Sequence, residues 1–161
     1  MGSTSLYVGC TNDITYRYRY YGQERYDKKE YVPLLIELKS NGTLANAIVV
    51  SREKTGMAEV KNGKIYVANP IYNKIYILNE SNGDTISFFG ETGRDTGQLY
   101  RPYGITIDNL NRIYVSDLSN KRIQIFTEAG EFLAKIDKSI SPAFAFMNVI
   151  DIEIGANGDL Y

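Results

Sequence analysis

The chain has no histidine and no tryptophan, and only one cysteine, Cys10, among 161 residues. Without histidine it lacks the commonest metal ligand and the commonest acid–base group at neutral pH. One cysteine permits neither an internal disulfide nor a cysteine-rich zinc site. Cys10 itself reads as a small buried residue at a strand end. No segment has the uninterrupted apolar length of a membrane helix. Charge of one sign is also missing. The net charge is −1, so no overall field draws nucleic acid or anionic lipid, although a local patch remains open. Met1-Gly2-Ser3 lacks the features of a signal peptide, and residues 1–4 read as an expression leader or a disordered start. The compartment is left open.

What is present is tyrosine and repetition. The 14 tyrosines outnumber the 6 phenylalanines, which favours surfaces that bind as well as pack, because tyrosine joins an apolar body to a polar tip. Residues 55–90 and 90–136 are copies of one pattern. Gly56 and Gly104, Tyr66 and Tyr114, and Lys74 and Arg122 each stand 48 positions apart. A repeat of this length, made of short strands, predicts an all-β fold. The expected architecture is a β-propeller segment of about three four-stranded antiparallel blades, half of a six-bladed ring.

Strand signals are β-branched and aromatic runs between turn residues. They predict Gly56–Val60, Lys64–Ala68, Lys74–Leu78 and Thr85–Phe89 in one unit. In the next they predict Tyr103–Asp108, Arg112–Ser116, Arg122–Phe126 and Glu131–Ile136. Val149–Ile154 should open a further inner strand. Asn41-Gly42, Asn62-Gly63, Asn82-Gly83 and Asn157-Gly158 are expected to form tight two-residue turns, with Ala129-Gly130 at a matching place. Asn41-Gly42-Thr43 and Asn79-Glu80-Ser81 fit the N-glycosylation pattern, which turns produce often by chance.

The repeat units fall at about 5–50, 51–90, 91–136 and an incomplete 137–161, with residues 11–32 as an inserted hairpin. Three blades leave two apolar faces open. At on the order of 400 Å² each, that is roughly 10 kcal/mol of unburied surface per face. Either the chain is part of a longer propeller, or two copies pair as a homodimer that completes a ring.

Gly97-Gln98, Pro102-Tyr103-Gly104-Ile105, Ile113-Tyr114-Val115-Ser116-Asp117 and Asn120-Lys121-Arg122-Ile123-Gln124-Ile125-Phe126 resemble the NHL-repeat family. The preceding repeat departs from that pattern, with Asn69 in place of the aspartate and Lys74 in place of the arginine. The resemblance implies a six-bladed propeller whose relatives serve mostly as protein- or RNA-binding platforms. A few relatives resemble lyases or sensor domains. The peptide-amidating lyases similar to this family depend on a histidine-bound zinc, which this chain has no histidine to hold. Calcium lactonases that resemble other six-bladed propellers would need carboxylates around the channel. Asp151 and Glu153 lie on an inner strand, but they read equally as a salt-bridged or solvated pair.

Asp117 and Arg122 flank the loop between the second and third strands. A charge-assisted hydrogen bond between them would pin it, and Asp117→Ala should cost about 1–3 kcal/mol. Gly104 should permit either a close backbone approach or an unusual φ angle. In a propeller, the loops from strand four to the next strand one share a face with those from strand two to strand three. Binding is expected there, over Ser51–Thr55, Asn69–Asn73, Glu91–Pro102, Asp117–Lys121 and Asp137–Met147. The insertion Thr11–Val32 belongs to the same rim. Tyr16, Tyr18 and Tyr20 alternate with Thr15, Arg17 and Arg19, as in a strand with two unlike faces. Tyr21-Gly22-Gln23-Glu24 reads as the turn. The hairpin has five basic and four acidic residues from Asp13 to Glu30, so it is mixed rather than polybasic.

Tyr16, Arg17, Tyr18, Arg19, Tyr20, Tyr26, Tyr72, Arg101 and Tyr103 form the candidate ligand-binding set. The reading is a non-enzymatic scaffold with no cofactor and no membrane span, and with a protein as partner. A glycan or single-stranded RNA is the alternative ligand, through aromatic stacking and arginine contacts. A propeller hydrolase or lyase with a carboxylate-bound metal at the channel mouth is the enzymatic alternative. The tyrosine row also reads as packing on a neighbouring loop.

Overall fold

The computed structural model describes residues 6–20, 23–38, 44–49, 56–145, 148–155 and 157–161. The chain forms two compact units, residues 1–54 and 55–161. The first contains strands β1 (Leu6–Tyr20), β2 (Gln23–Leu38) and β3 (Leu44–Val49), in a sheet ordered β1-β2-β3. The β1–β2 ladder is antiparallel and runs from Leu6↔Leu38 to Tyr20↔Gln23. Residues 11–32 therefore prolong the same ladder that begins beside β3. Register shifts between Thr15 and Arg17, where β2 carries one residue more than β1. Pro33 lies just outside Leu34–Leu38, the part of β2 paired with β3. A residue without an N–H is tolerated where only one neighbour needs a ladder bond.

The second unit contains two four-stranded antiparallel sheets. One has β4 (Ala58–Lys61), β5 (Lys64–Asn69), β6 (Lys74–Asn79) and β7 (Thr85–Phe89); the other has β8 (Pro102–Ile107), β9 (Ile113–Asp117), β10 (Arg122–Phe126) and β11 (Phe132–Ile136). Each sheet is ordered as a meander, the arrangement of a propeller blade. Period-two alternation sends Tyr66, Ala68, Ile75 and Ile77 of one blade against Ile105, Ile107, Ile113, Val115 and Phe126 of the next. Phe89 and Phe132 flank Phe126, with ring centroids at 5.2 and 6.2 Å. Each buried isoleucine or phenylalanine contributes about 1.5–3 kcal/mol by leaving water.

Two glycines set the spacing between blades. A Cβ on Gly56 would lie 2.6 Å from the Tyr103 carbonyl oxygen, and one on Gly104 would lie 2.8 Å from that of Ile150. The same contact thus recurs from blade to blade. The Met57 N–H donates to the Tyr103 oxygen at 2.8 Å. Gly104 has no left-handed φ, so close approach, not backbone conformation, is its role.

Two expectations need correction. Val149–Ile154 forms no ladder strand. Its pairing is one bridge, Ile154↔Leu160, with reciprocal bonds between Glu153 and Tyr161. Ile152 is nevertheless buried, and Ser116 Oγ donates to the Val149 oxygen. Second, only Asn62-Gly63 has both residues at positive φ, as a two-residue turn requires. At Asn82-Gly83 and Asn157-Gly158 the glycine alone is left-handed. Gly130 and Gly158 close longer turns, with Thr127 N–H bonded to Glu131 and Gly155 N–H to Asp159. Asn41-Gly42, residues 21–22 and Ser51–Thr55 lie outside the described residues.

Candidate functional site

The loops between strands two and three, and from strand four to the next strand one, meet over the second unit. Asp117 ends β9 with its side chain fully buried, and Arg122 opens β10 opposite it at 6% exposure. Arg122 Nε donates to Asp117 Oδ2 at 2.7 Å. The same oxygen accepts from Asn120 Nδ2 at 2.8 Å and Gln124 Nε2 at 3.1 Å. Oδ1 takes the Tyr100 N–H at 2.7 Å. The rest of the Arg122 guanidinium reaches back along the incoming loop, to the oxygens of Arg94, Asp95 and Gln98 at 3.0, 2.8 and 2.7 Å. Gln124 accepts from the Gly97 N–H and donates to the Gln98 oxygen, and Asn120 donates to the Gly93 oxygen. A loop would otherwise strand these backbone groups as it crosses the blade. Here one buried polar hub satisfies them and fixes the loop's path.

The preceding blade solves the same problem without an ion pair. Asn69 Oδ1 accepts the N–H groups of Ile71 and Tyr72, both at 3.0 Å. Asn73 sits at φ 56°, a conformation asparagine tolerates. Its Oδ1 accepts the Arg101 N–H at 2.7 Å, and its Nδ2 donates to Thr92 Oγ1 at 3.0 Å. Lys74 stands over the Phe88 ring at 4.0 Å.

On this frame the surface has two zones. Ile71 and Tyr72 are 50% and 48% exposed over the first blade, with exposed Tyr100 and Arg101 next along. Tyr103 is half-buried in β8. Over the second blade lies an open cleft of about 460 Å³, lined by Arg94, Ser119, Asn120, Lys121, Arg122, Asp137 and Lys138. The Asp137 carboxyl is held well below its usual range, first by the Lys135 ammonium and then by Ser139.

The opposite rim carries ordinary blade-to-blade ties. Tyr66 donates to Glu128 at 3.1 Å, and Lys64 pairs with the same carboxylate oxygen. Burial, then the Glu128 charge, pushes the Tyr66 phenol up to about 12. Burial pushes the Asp108 carboxyl up, but hydrogen bonds from Arg112 and Leu110 outweigh it and leave the group below its usual value. Among the described residues no three His, Cys, Asp or Glu side chains are grouped to hold a metal ion. No helix among them is long and apolar enough to cross a membrane.

Of the residues singled out from the sequence, Tyr72, Arg101 and Tyr103 share this loop region. Asn73, the residue after Tyr72, holds the Arg101 N–H. Tyr16, Arg17, Tyr18, Arg19 and Tyr20 lie on β1, and Tyr26 on β2 pairs with Arg17. These six belong to the other unit. The cleft residues Arg94, Lys121 and Lys138 were not among those singled out. The available signal was a basic residue in each of three loops assigned to one rim.

The family model for the NHL repeat matches residues 99–126. Residues 99–126 are an NHL repeat. The matched stretch begins at Leu99, which is fully buried, and ends at the core residue Phe126. Asp117, Asn120, Arg122 and Gln124 lie between them, so this NHL repeat coincides with the hub that anchors the incoming loop. Protein lin-41 of Caenorhabditis elegans is 47% identical over 47 residues, which is 29% of this chain and 4% of that protein. The E3 ubiquitin-protein ligase TRIM71 of Xenopus tropicalis is 48% identical over 48 residues, 30% of this chain and 6% of that protein. The matched stretch thus spans only a small part of the relatives' length. A streptogramin B lyase structure superposes with a TM-score of 0.57 at 18% identity, over 98% of this chain and 51% of that one. The WD40 β-propeller domain of Doa1 gives 0.52 at 12%, over 81% and 42%. Both likenesses concern the fold alone: the chain is all-β, with β-propeller blades.

Proposed function

We propose that this NHL-repeat segment is a binding scaffold that takes a protein partner on its loop face. The observation that supports the reading is a loop face held by buried hydrogen bonds that still leaves Ile71, Tyr72, Tyr100 and Arg101 exposed. Tyrosine and arginine dominate binding energy at protein interfaces, and walls ordered in advance lose little entropy on association. On this reading the Tyr16–Tyr20 and Tyr26 hairpin is a second contact arm, and the repeat units 5–50, 51–90 and 91–136 are successive blades. Single-stranded RNA is the second reading, favoured by two exposed tyrosines near an arginine.

A photo-cross-linking side chain tests the choice. Placed at Tyr72 it should capture protein, whereas at Leu110, exposed on the opposite rim, it should not. Ribonuclease-sensitive adducts at position 72 would establish the RNA reading instead. Equal capture at both positions would refute a specialised loop face.

A further inference from the structure

The cleft over the second blade differs in chemistry from the surface over the first. Ser119, Asn120 and Lys121 occupy the places that Ile71, Tyr72 and Asn73 hold one repeat earlier. The cleft's other walls come from two successive incoming loops, Arg94 on one and Asp137 and Lys138 on the next. Arg94, Lys121 and Lys138 are exposed. Neither Arg94 nor Lys138 has a carboxylate partner among the described residues. Arg122 forms the floor, with its donors committed to Asp117 and to three loop carbonyls. Asp137 is committed to Lys135 and Ser139. At Arg94 and Lys138 the cleft therefore presents positive charge that no carboxylate among the described residues pairs. The backbone under Arg94 is gripped by Arg122, and Lys121 is fixed at φ 54° by a bond from its N–H to Leu118.

The geometry points to this cleft as a seat for the carboxylates of an acidic peptide segment, whose neighbouring apolar side chain lies over Ile71 and Tyr72. The inference rests on the loop-face reading and names the partner's chemistry. Acidic recognition by clustered cations is a recurrent mode of peptide binding. Two features favour a peptide over a nucleic-acid strand. The lining contains no aromatic side chain on which a base could stack. Asp137 also stands among the cations. An unbroken row of phosphates would be forced beside that carboxylate. A peptide can set a neutral hydrogen-bond donor there and keep its carboxylates on Arg94 and Lys138. The cationic cleft and the apolar zone meet where the Ser119 N–H donates to the Tyr100 oxygen at 3.1 Å, so one short segment can address both.

The test uses fluorescence anisotropy with the 161-residue chain and three labelled probes. They are a glutamate-rich peptide with a single leucine, its glutamine-for-glutamate counterpart, and an oligouridylate. The glutamate peptide should bind at least about tenfold more tightly than the glutamine peptide, and its affinity should fall steeply with salt. Arg94→Glu with Lys138→Glu should remove that advantage. Both side chains are exposed, so the fold is retained, which circular dichroism checks. Equal binding of the two peptides, or no binding of either, overturns the inference. Binding of oligouridylate lost in the double variant, without peptide binding, overturns it in favour of RNA. Protein cross-linking at Tyr72 that survives such a result leaves the scaffold reading standing and removes only the acidic ligand.

Discussion

Replacing Asp117 with alanine should be among the most damaging single changes in the second unit. The sequence alone supports a charged hydrogen bond worth about 1–3 kcal/mol. The structure raises that figure. Asp117 is fully buried, and its two oxygens accept four donors, from Tyr100, Asn120, Arg122 and Gln124. Alanine strands all four. Arg122 suffers most, because its remaining acceptors are neutral carbonyls and it is only 6% exposed. Removing one partner of a buried ion pair costs about 3–5 kcal/mol. Typical domains have about 5–15 kcal/mol in total, so the variant should lie near its unfolding midpoint at modest urea. Urea titration followed by circular dichroism and tyrosine fluorescence measures the loss. Asp117→Asn separates charge from contact: it keeps an oxygen for the Tyr100 N–H but leaves Arg122 without a counter-charge. A cost within about 1 kcal/mol of the alanine variant would assign the loss to charge. A loss below about 1 kcal/mol for alanine would refute the reasoning and reduce the hub to a surface contact.

Further outcomes follow from the same frame. Gly104→Ala should destabilise by about 1–3 kcal/mol through overpacking, because its Cβ would meet the Ile150 oxygen at 2.8 Å; urea unfolding indistinguishable from wild type would show that the neighbouring strand gives way freely. Tyr66→Phe should change the alkaline limb of the stability curve. The folded phenol is raised from 10 to about 12, so its contribution is complete below the unfolded value and is lost as pH rises towards the folded one, about 2–3 kcal/mol in all. Comparing the two proteins at the ends of that window checks the sign, and an equal alkaline loss in both would contradict it. Asn73→Gly keeps the left-handed backbone but drops the bonds to Arg101 and Thr92, whereas Asn73→Ala loses both. Alanine should therefore cost about 1 kcal/mol more than glycine, and amide exchange at Arg101 should quicken in each.

The strands were legible because their signals are local. Turn residues bracket each β-branched run, and the predicted edges fall within two residues of β4–β11. Asp117 and Arg122 were legible for a similar reason: they face each other across one short loop in a fixed register. Gln124 was visible only as a motif letter. Its role depends on the path of Gly93–Gln98, which lies a whole strand-pair earlier in the chain and is set by tertiary contact. Val149–Ile154 misled because an apolar alternation announces a strand whether or not a ladder partner faces it. Asn82-Gly83 misled because the dipeptide fixes the glycine's φ but not the length of the loop.

The cleft was hidden for a different reason. Arg94, Lys121 and Lys138 are individually unremarkable surface cations, and the net charge of −1 conceals them. They become one site because a propeller returns every second connection to the same rim. The second-to-third-strand loop of one blade is thereby set between two successive incoming loops. The same geometry explains why neighbouring repeats differ where they do. Their buried positions must keep filling the inter-blade space, as Tyr66 and Ala68 do in one blade and Ile113 and Val115 in the next. The loop between strands two and three is anchored from below, by Asn69 in one blade and Asp117 in the next, so its exposed residues can change without disturbing the blade. Exposed Ile71 against exposed Ser119 is that freedom in use. A partner that reads this face would encounter one apolar and one cationic station at a spacing fixed by the fold.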